Sequence, residues 1–333
     1  MPKDPHQSNV GAVLPGEVEL LARVVADLHD DPPKLIYADW LDERGDQRGP
    51  FLRAFVRAVR QGAVLPDSAP FSQAWRNLVG VTVIEGAFQH GLADRIDPIL
   101  HLALPTITFD AESPGRLEFP IGATKLGGCP DLPSVEDWPL RNELPLSFLG
   151  QFNLADFKGT LAARDLPESG ILTFFLFNDP SAGMPVEDPG YWRCRFIPGG
   201  TALVRCPPHP RLDEANRVRS ACAVQWMETL DLSPLGNPEL EIGDRDLEYG
   251  FVEQLLREER QQVFGFEQLL GQTHLPTFVF GEHSYPPPEW QHLVTFQENH
   301  HLDWDWGNHG LHFFIRTMDL RKQQFDATGV IVD

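Results

Sequence analysis

Forty-eight acidic against 27 basic side chains give this 333-residue chain a formal charge of -21. Such a surface repels a phosphate backbone, whose binding depends on lysine and arginine, so nucleic acid is excluded as an expected partner and a basic protein is favoured. Hydrophobic content of 42% suffices for one large domain or two ordinary ones, and the 30 prolines and 28 glycines, scattered along the chain, call for many turns and short elements. The opening "MPKDPHQSNV" lacks the apolar core of a signal peptide, and the longest near-apolar run, "ILTFFLF", is too short to cross a bilayer. A cytoplasmic protein with no membrane partner is expected.

After a polar tail over 1–16, helical periodicity begins. In "GEVELLARVVADLHD" the residues Val18, Leu20, Leu21, Val24, Val25 and Leu28 form one broad stripe, predicting a helix that ends near Asp30. Pro32 and Pro33 break the chain and open a second helix, in which Leu35, Ile36, Trp40 and Leu41 recur at helical spacing before Gly45 stops it. A third helix is expected at Phe51 to Arg60. The arginines at 48, 53, 57 and 60 lie among Asp42, Glu43 and Asp46 and read as a solvated helix face.

The stretch "DPPKLIYADWLDERGDQRGPFLR" resembles the repeat-companion domain, a short bacterial helical module often found ahead of leucine-rich-type repeats. Tyr37, Ala38, Asp39, Trp40, Leu41, Gly45 and Asp46 carry the resemblance. It implies a module over 17–62 and a connecting segment over 63–103, although no periodic leucine repeat follows.

From "LALPTITFDAESPGRLEFP" onward, short apolar runs separated by Pro and Gly predict a strand-rich α+β domain over 104–333. Strands are expected in "LSFLGQFNL", "GILTFFLF", "WRCRFI", "TALVRC", "ACAVQWMETLDL", "TFVF", "HLVTFQ" and "GLHFFI". One helix is expected in "DLEYGFVEQLLREERQQVF", with Leu247, Phe251, Val252, Leu255 and Leu256 on one side. Part of this text is said twice. A strand containing Gln151 leads through "LPESGILTFFLF" to Asp179, and a strand containing Gln297 leads through "WDWGNHGLHFFI" to Asp319. Two related strand pairs with Phe-Phe cores follow from this, either by internal duplication or because aromatic residues are common in strands.

The same blocks resemble the YwqG-like family, a bacterial domain of unknown function. Lys125, Gly127, Gly128, Pro130, Leu132, Pro133, Trp138 and Pro139 fit its opening signature, then Gln151, Pro167 and Gly170, then "EWQHLVTFQ", "DWDWGNHGLHFFIRTMDL" and Phe325. At "FEQLLGQTHLP" the chain departs from the family, which more often places a His before that turn.

No catalytic or cofactor motif stands out, so no cofactor and no catalytic residue are assigned, and an enzyme is the less favoured reading. His292, His300, His301, His309 and His312 gather near Asp303 and Asp305, but without H-E-x-x-H they read as alternating faces of a hairpin and not as a metal site. A calcium loop is rejected because Gly307 and Phe314 stand where ligands belong. "KLGGCP" lacks the P-loop spacing and Ser147 lacks the nucleophile-elbow context. The four cysteines, Cys129, Cys194, Cys206 and Cys222, have no C-x-x-C pair and read as reduced and mostly packed. The candidate binding residues are Gly127, Gly128, Trp138, Gln151, Trp290, Gln297 and Trp304. Two readings stand: an acidic protein-binding module of adaptor or inhibitor type, or an enzyme or small-ligand binder with its site between the repeated halves.

Overall fold

The computed structural model describes residues 14–111, 118–178, 190–214, 216–231, 267–271, 289–297, 302, 304 and 310–332. They fall into two compact units, one holding 14–108, 226–231 and 271, the other the described residues of 109–225, 267–270 and 289–332. A helical region precedes a strand-rich one, so the fold is α+β. The helix expected in "DLEYGFVEQLLREERQQVF" and the strand expected at "TFVF" lie outside the described residues.

The first unit begins with α1 (Glu17–Ala26), α2 (Asp31–Asp42) and α3 (Arg48–Gln61). α1 stops short of the expected Asp30 because Asp27 leaves helical geometry at φ -149°. The loop carbonyls beyond it, which no helical N–H can reach, are taken by the ammonium of Lys34, donating to Leu28 O and, at 3.3 Å, to Asp30 O. This corrects the stripe expected on α2. Lys34, Tyr37, Ala38 and Leu41 face inward, whereas Ile36 is 55% exposed and Trp40 carries the Arg44 guanidinium 3.8 Å from its ring centre. Apolar periodicity misplaced the face because two of its inward residues have polar tips.

One buried carboxylate ties these helices together. Glu17 accepts from Tyr37 Oη, from Arg48 Nη1 at 2.7 Å and from the Leu14 N–H at 2.6 Å, while Trp75 Nε1 donates to Tyr37 Oη at 3.0 Å. Three further helices follow, α4 (Gln73–Leu78), α5 (Val81–Gln89) and α6 (Ile96–Leu102). β1 (Leu104–Ala111) neighbours β10 (Val224–Asp231), and within the first unit Asn77 Nδ2 donates to Thr229 Oγ1 at 3.0 Å, joining α4 to β10.

The second unit contains β2 (Lys125–Leu126), β6 (Ser147–Asn153), β7 (Gly170–Leu176) and β8 (Trp192–Pro198) in the spatial order 2-6-7-8. It also contains β11 (Glu267–Leu269), β12 (Trp290–Phe296), β13 (Leu311–Arg316) and β14 (Gly329–Val332) in the order 11-12-13-14, with α7 (Thr317–Arg321) between the last two. Two short ladders complete it, β3 (Asp131–Leu132) with β9 (Val204–Arg205), and β4 (Leu140–Arg141) with β5 (Leu144–Pro145).

These two four-strand sets share one register. Gln151 pairs with Lys125 and Thr173, and Thr295 pairs with Gln268 and His312. One residue along, Gly150 pairs with Leu126 and Phe174, and Val294 with Leu269 and Phe313. Each set then carries one extra residue, Leu149 or Leu293, at the same ladder position. The carbonyl of that bulged leucine accepts from Gly127 N at 2.7 Å in one set and from Leu270 N at 2.9 Å in the other. The two residues after β2 and β11 have matching positive φ, 63° and 70° at Gly127 and Gly128, 65° and 84° at Leu270 and Gly271.

The repeat therefore runs over four strands, wider than the two expected. It also moves one equivalence: the position of Gln151 is held by Thr295, not by Gln297, which follows β12. Equivalent phenylalanines touch across the repeat, Phe152 with Phe296 at 6.3 Å and Phe174 with Phe313 at 5.1 Å between ring centres. Within each copy the corresponding ring pair lies at 5.9 Å, edge to face. All four rings are buried, each contributing about 2–3 kcal/mol by area alone, so this quartet is the centre of the core.

Candidate functional site

On the face of β6 and β7 opposite the phenylalanine quartet, Gln151 enters a buried ionic network. Asp131, fully buried on β3, accepts from Lys125 Nζ at 3.2 Å, Gln151 Nε2 at 2.8 Å and the Gly122 N–H at 2.9 Å, and pairs through both oxygens with Arg205, at 2.6 Å from Nε and 3.2 Å from Nη2. Gln151 Oε1 in turn accepts from Asp131 N at 3.0 Å, and its amide donates to Ala123 O at 2.8 Å. Burial opposes ionisation of Asp131, but Arg205, the Gly122 N–H, Lys125 and Gln151 outweigh it and hold the carboxyl below the usual range. Burial likewise lowers Lys125, opposed by the Asp131 charge, and hydrogen bonding to Asp131 raises Arg205. A carboxylate saturated by four donor groups is a poor general base, and this arrangement is a cross-brace between β2, β3, β6 and β9.

The equivalent face of the second copy is polar but carries histidine. His292 Nδ1 lies 3.1 Å from Leu270 O, His292 Nε2 lies 2.7 Å from Thr295 Oγ1, and Thr295 Oγ1 lies 2.8 Å from His312 Nδ1. A carbonyl can only accept, so His292 Nδ1 bears a proton, and in the neutral ring Nε2 then accepts from the Thr295 hydroxyl. That hydroxyl accepts in turn from His312 Nδ1–H. The row is directional, and it leaves His312 Nε2 as the acceptor nitrogen of its ring. All three residues are buried, and Gln268 is cross-strand from Thr295.

The binding residues expected from sequence are placed as follows. Gly127 and Gly128 form a turn whose amides donate to Leu149 O at 2.7 Å and Arg219 O at 3.0 Å, so neither is directed at a bound anion. A Cβ at Gly127 would run into the Ser220 carbonyl, and one at Gly128 would lie 2.7 Å from Ala221 Cβ; close approach to residues 220–221 requires glycine at both. Trp138 is buried and donates to Leu146 O at 2.9 Å. Trp304 is buried edge-on to Phe296 at 5.8 Å. Trp290 is half-buried under the guanidinium of Arg316, 5.0 Å from its ring centre, and Gln297 is half-buried just beyond β12. The structure thus joins Gln151 and the glycine pair around β6 and separates them from Trp290.

Among the described residues no group of three His, Cys, Asp or Glu is placed to hold a metal, and no helix is long and apolar enough to cross a membrane. His300, His301, Asp303, Asp305, Gly307 and His309 lie outside the described residues. The four cysteines are free thiols, three buried and Cys129 half-buried. Burial raises the Cys129 thiol despite the nearby cations of Lys125 and Arg205, which works against a nucleophilic role.

Sequence reasoning missed both polar rows. Asp131 and Arg205 meet through a two-residue ladder that no periodicity reveals. One signal was present, a lone Asp in the apolar stretch "CPDLPS", where burial demands partners.

Residues 124–333 match the family described as a domain of unknown function, DUF1963. The chain belongs to this family. The matched segment opens one residue before Lys125 and takes in both copies of the repeat, so the buried ionic brace and the histidine row both lie in the family's own domain. A search of curated proteins found no match.

Proposed function

We propose that this member of the DUF1963 family is a protein-binding module, an adaptor or inhibitor whose acidic surface recognises a basic protein. One observation supports the reading above others. Five arginines of the helical unit and of the β2–β9 region are committed to the chain's own carboxylates, Arg48 to Glu17 and Asp46, Arg53 to Asp39 and Asp42, Arg60 to Asp31 and Asp97, Arg195 to Asp137 and Arg205 to Asp131. The formal charge of -21 is the acidic excess left over. In this reading the protein is cytoplasmic and bacterial, a repeat-companion-like module occupies 17–62, a connector 63–103, and a YwqG-like domain 104–333. Gly127, Gly128, Trp138, Gln151 and Trp304 form the rigid frame, and Trp290 and Gln297 contribute contacts at its surface.

The test is the association rate of a partner captured from lysate. Steering predicts a fall of about tenfold or more between low and physiological salt, with dissociation little changed. Replacing Glu239, Glu241, Asp244 and Asp246 by lysine slows association further. A rate indifferent to both would overturn the proposal. The second reading, an enzyme or small-ligand binder, moves from the seam between the repeated halves, which the phenylalanine quartet fills, to the opposite face, where the directional His312–Thr295–His292 row lies; it requires a ligand whose binding is lost in His312→Gln.

A further inference from the structure

A cluster of cations outside this commitment lies at the end of β13. An open groove of about 700 Å³ is lined by Glu289, Arg316, Thr317, Met318, Arg321 and Lys322. Among the described residues neither Arg316, Arg321 nor Lys322 enters an ion pair, in a chain whose other described arginines are mostly bound to carboxylates. Arg316 is instead held in place by stacking on Trp290. Thr317 is fixed by its N–H to Glu289 O at 2.8 Å and by Gln291 Nε2, which donates to its hydroxyl at 2.7 Å. Met318 lies 55% exposed between the cations, an unbranched apolar side chain that adapts its shape to a partner.

We propose that this groove is a docking site for an acidic segment of a protein partner, one in which carboxylates flank an apolar side chain. Three positive charges against the single Glu289 select an anion. The alkyl stems of Arg321 and Lys322 with Met318 give it an apolar floor, where a compact anion alone would leave these groups uncovered. The groove is open, whereas small ligands are held by clefts that cover about 70–90% of their surface, so an extended peptide laid along it is the occupant that fits. Glu289, the one acidic lining residue, repels a carboxylate beside it and gives the segment a direction. This surface is distinct from the acidic one proposed above, and its occupant has the opposite charge.

The probe is a fluorescein-labelled peptide in which glutamates flank a central leucine, read by anisotropy against the full chain, with a glutamine-for-glutamate control. Binding of the acidic peptide only, weakened at least tenfold by Arg321→Glu with Lys322→Glu and severalfold by Met318→Ser, is the expected result. All three residues are at the surface, and the circular dichroism spectrum of each variant verifies folding; Arg316→Gln supplies an independent variant. No binding, or binding that these variants leave unchanged, overturns the proposal. So does displacement of the peptide by millimolar inorganic phosphate together with indifference to Met318→Ser, which would make the groove a simple anion site. Failure here leaves the steering test of the acidic surface unaffected, because that test uses a basic partner and other residues.

Discussion

Replacing Asp131 by asparagine removes the carboxylate on which Lys125 and Arg205 both converge, and the consequence follows from what remains. Lys125 is 1% exposed and loses the carboxylate 3.2 Å from its ammonium, while Arg205 loses a two-point contact. Breaking a buried pair while leaving its partner charged costs about 3–5 kcal/mol, several times what an exposed pair contributes. Lys125→Met leaves Asp131 with Arg205, Gln151 and the Gly122 N–H, so the expected cost is smaller, about 1–2 kcal/mol. In the double variant the uncompensated ammonium is gone, and the total falls short of the sum by about 1–3 kcal/mol. Urea unfolding followed by the fluorescence of buried Trp138 and Trp192 measures all three. Because the folded carboxyl titrates below its ordinary value, its contribution is present above about pH 4 and is lost as pH falls through the folded value. The gap between wild type and Asp131→Asn therefore closes on acidification. A cost under about 1 kcal/mol at neutral pH, or a gap that widens in acid, refutes the argument.

Lys34 gives a slope of the same sign in a higher pH range. Burial lowers it from 10.5 to about 8, so between these values the unfolded chain holds more protons and stability rises with pH, by about 3 kcal/mol in all. Lys34→Met abolishes that rise, and urea midpoints from pH 7 to 10.5 detect it. Thr295→Val leaves His292 Nε2 without its hydroxyl donor and His312 Nδ1–H without its acceptor, at a cost of about 1–3 kcal/mol, and imidazole nitrogen shifts in wild-type protein should report the Nδ1–H tautomer for both rings. Gly128→Ala combines a left-handed φ of 70° with a 2.7 Å approach to Ala221 Cβ, and a loss of about 2–3 kcal/mol in thermal or urea unfolding is expected.

What could be read from the sequence was whatever repeats at short range. The α1 stripe of Leu21, Val24 and Val25, the Phe-Phe strands and the Gly127–Gly128 turn each declare themselves within a few residues. The inward face of α2 did not, because Lys34 and Tyr37 bury their bodies while their polar tips find Leu28 O and Glu17. No local pattern marks Glu17 as buried, because its burial depends on Arg48 and Tyr37 arriving from two other helices. The candidate site was less legible still. Asp131 needs Arg205 from 74 positions away, and the partnership of His292 with His312 exists only once strand register is known.

The bulge explains why the repeat was visible as text yet its polar rows were not. In a regular strand residues three apart point to opposite faces, so His292 and Thr295 should be separated by the sheet. The extra residue, Leu293, resets the alternation and returns His292 to the face of Thr295, where a 2.7 Å hydrogen bond joins them. In the first copy the extra residue is Leu149, and the position of His292 is taken by Phe148, which pairs with Phe175 as His292 pairs with Phe314. The same backbone device thus serves two chemistries. Where the ladder neighbours are Lys125 and Gln151, the face is closed by Asp131 and Arg205 into an ionic brace. Where they are Gln268, Thr295 and His312, the face carries a directional hydrogen-bond row that ends at His292. In one copy this face is closed by an ionic brace, and in the other it is a row of hydrogen-bonded histidine and threonine.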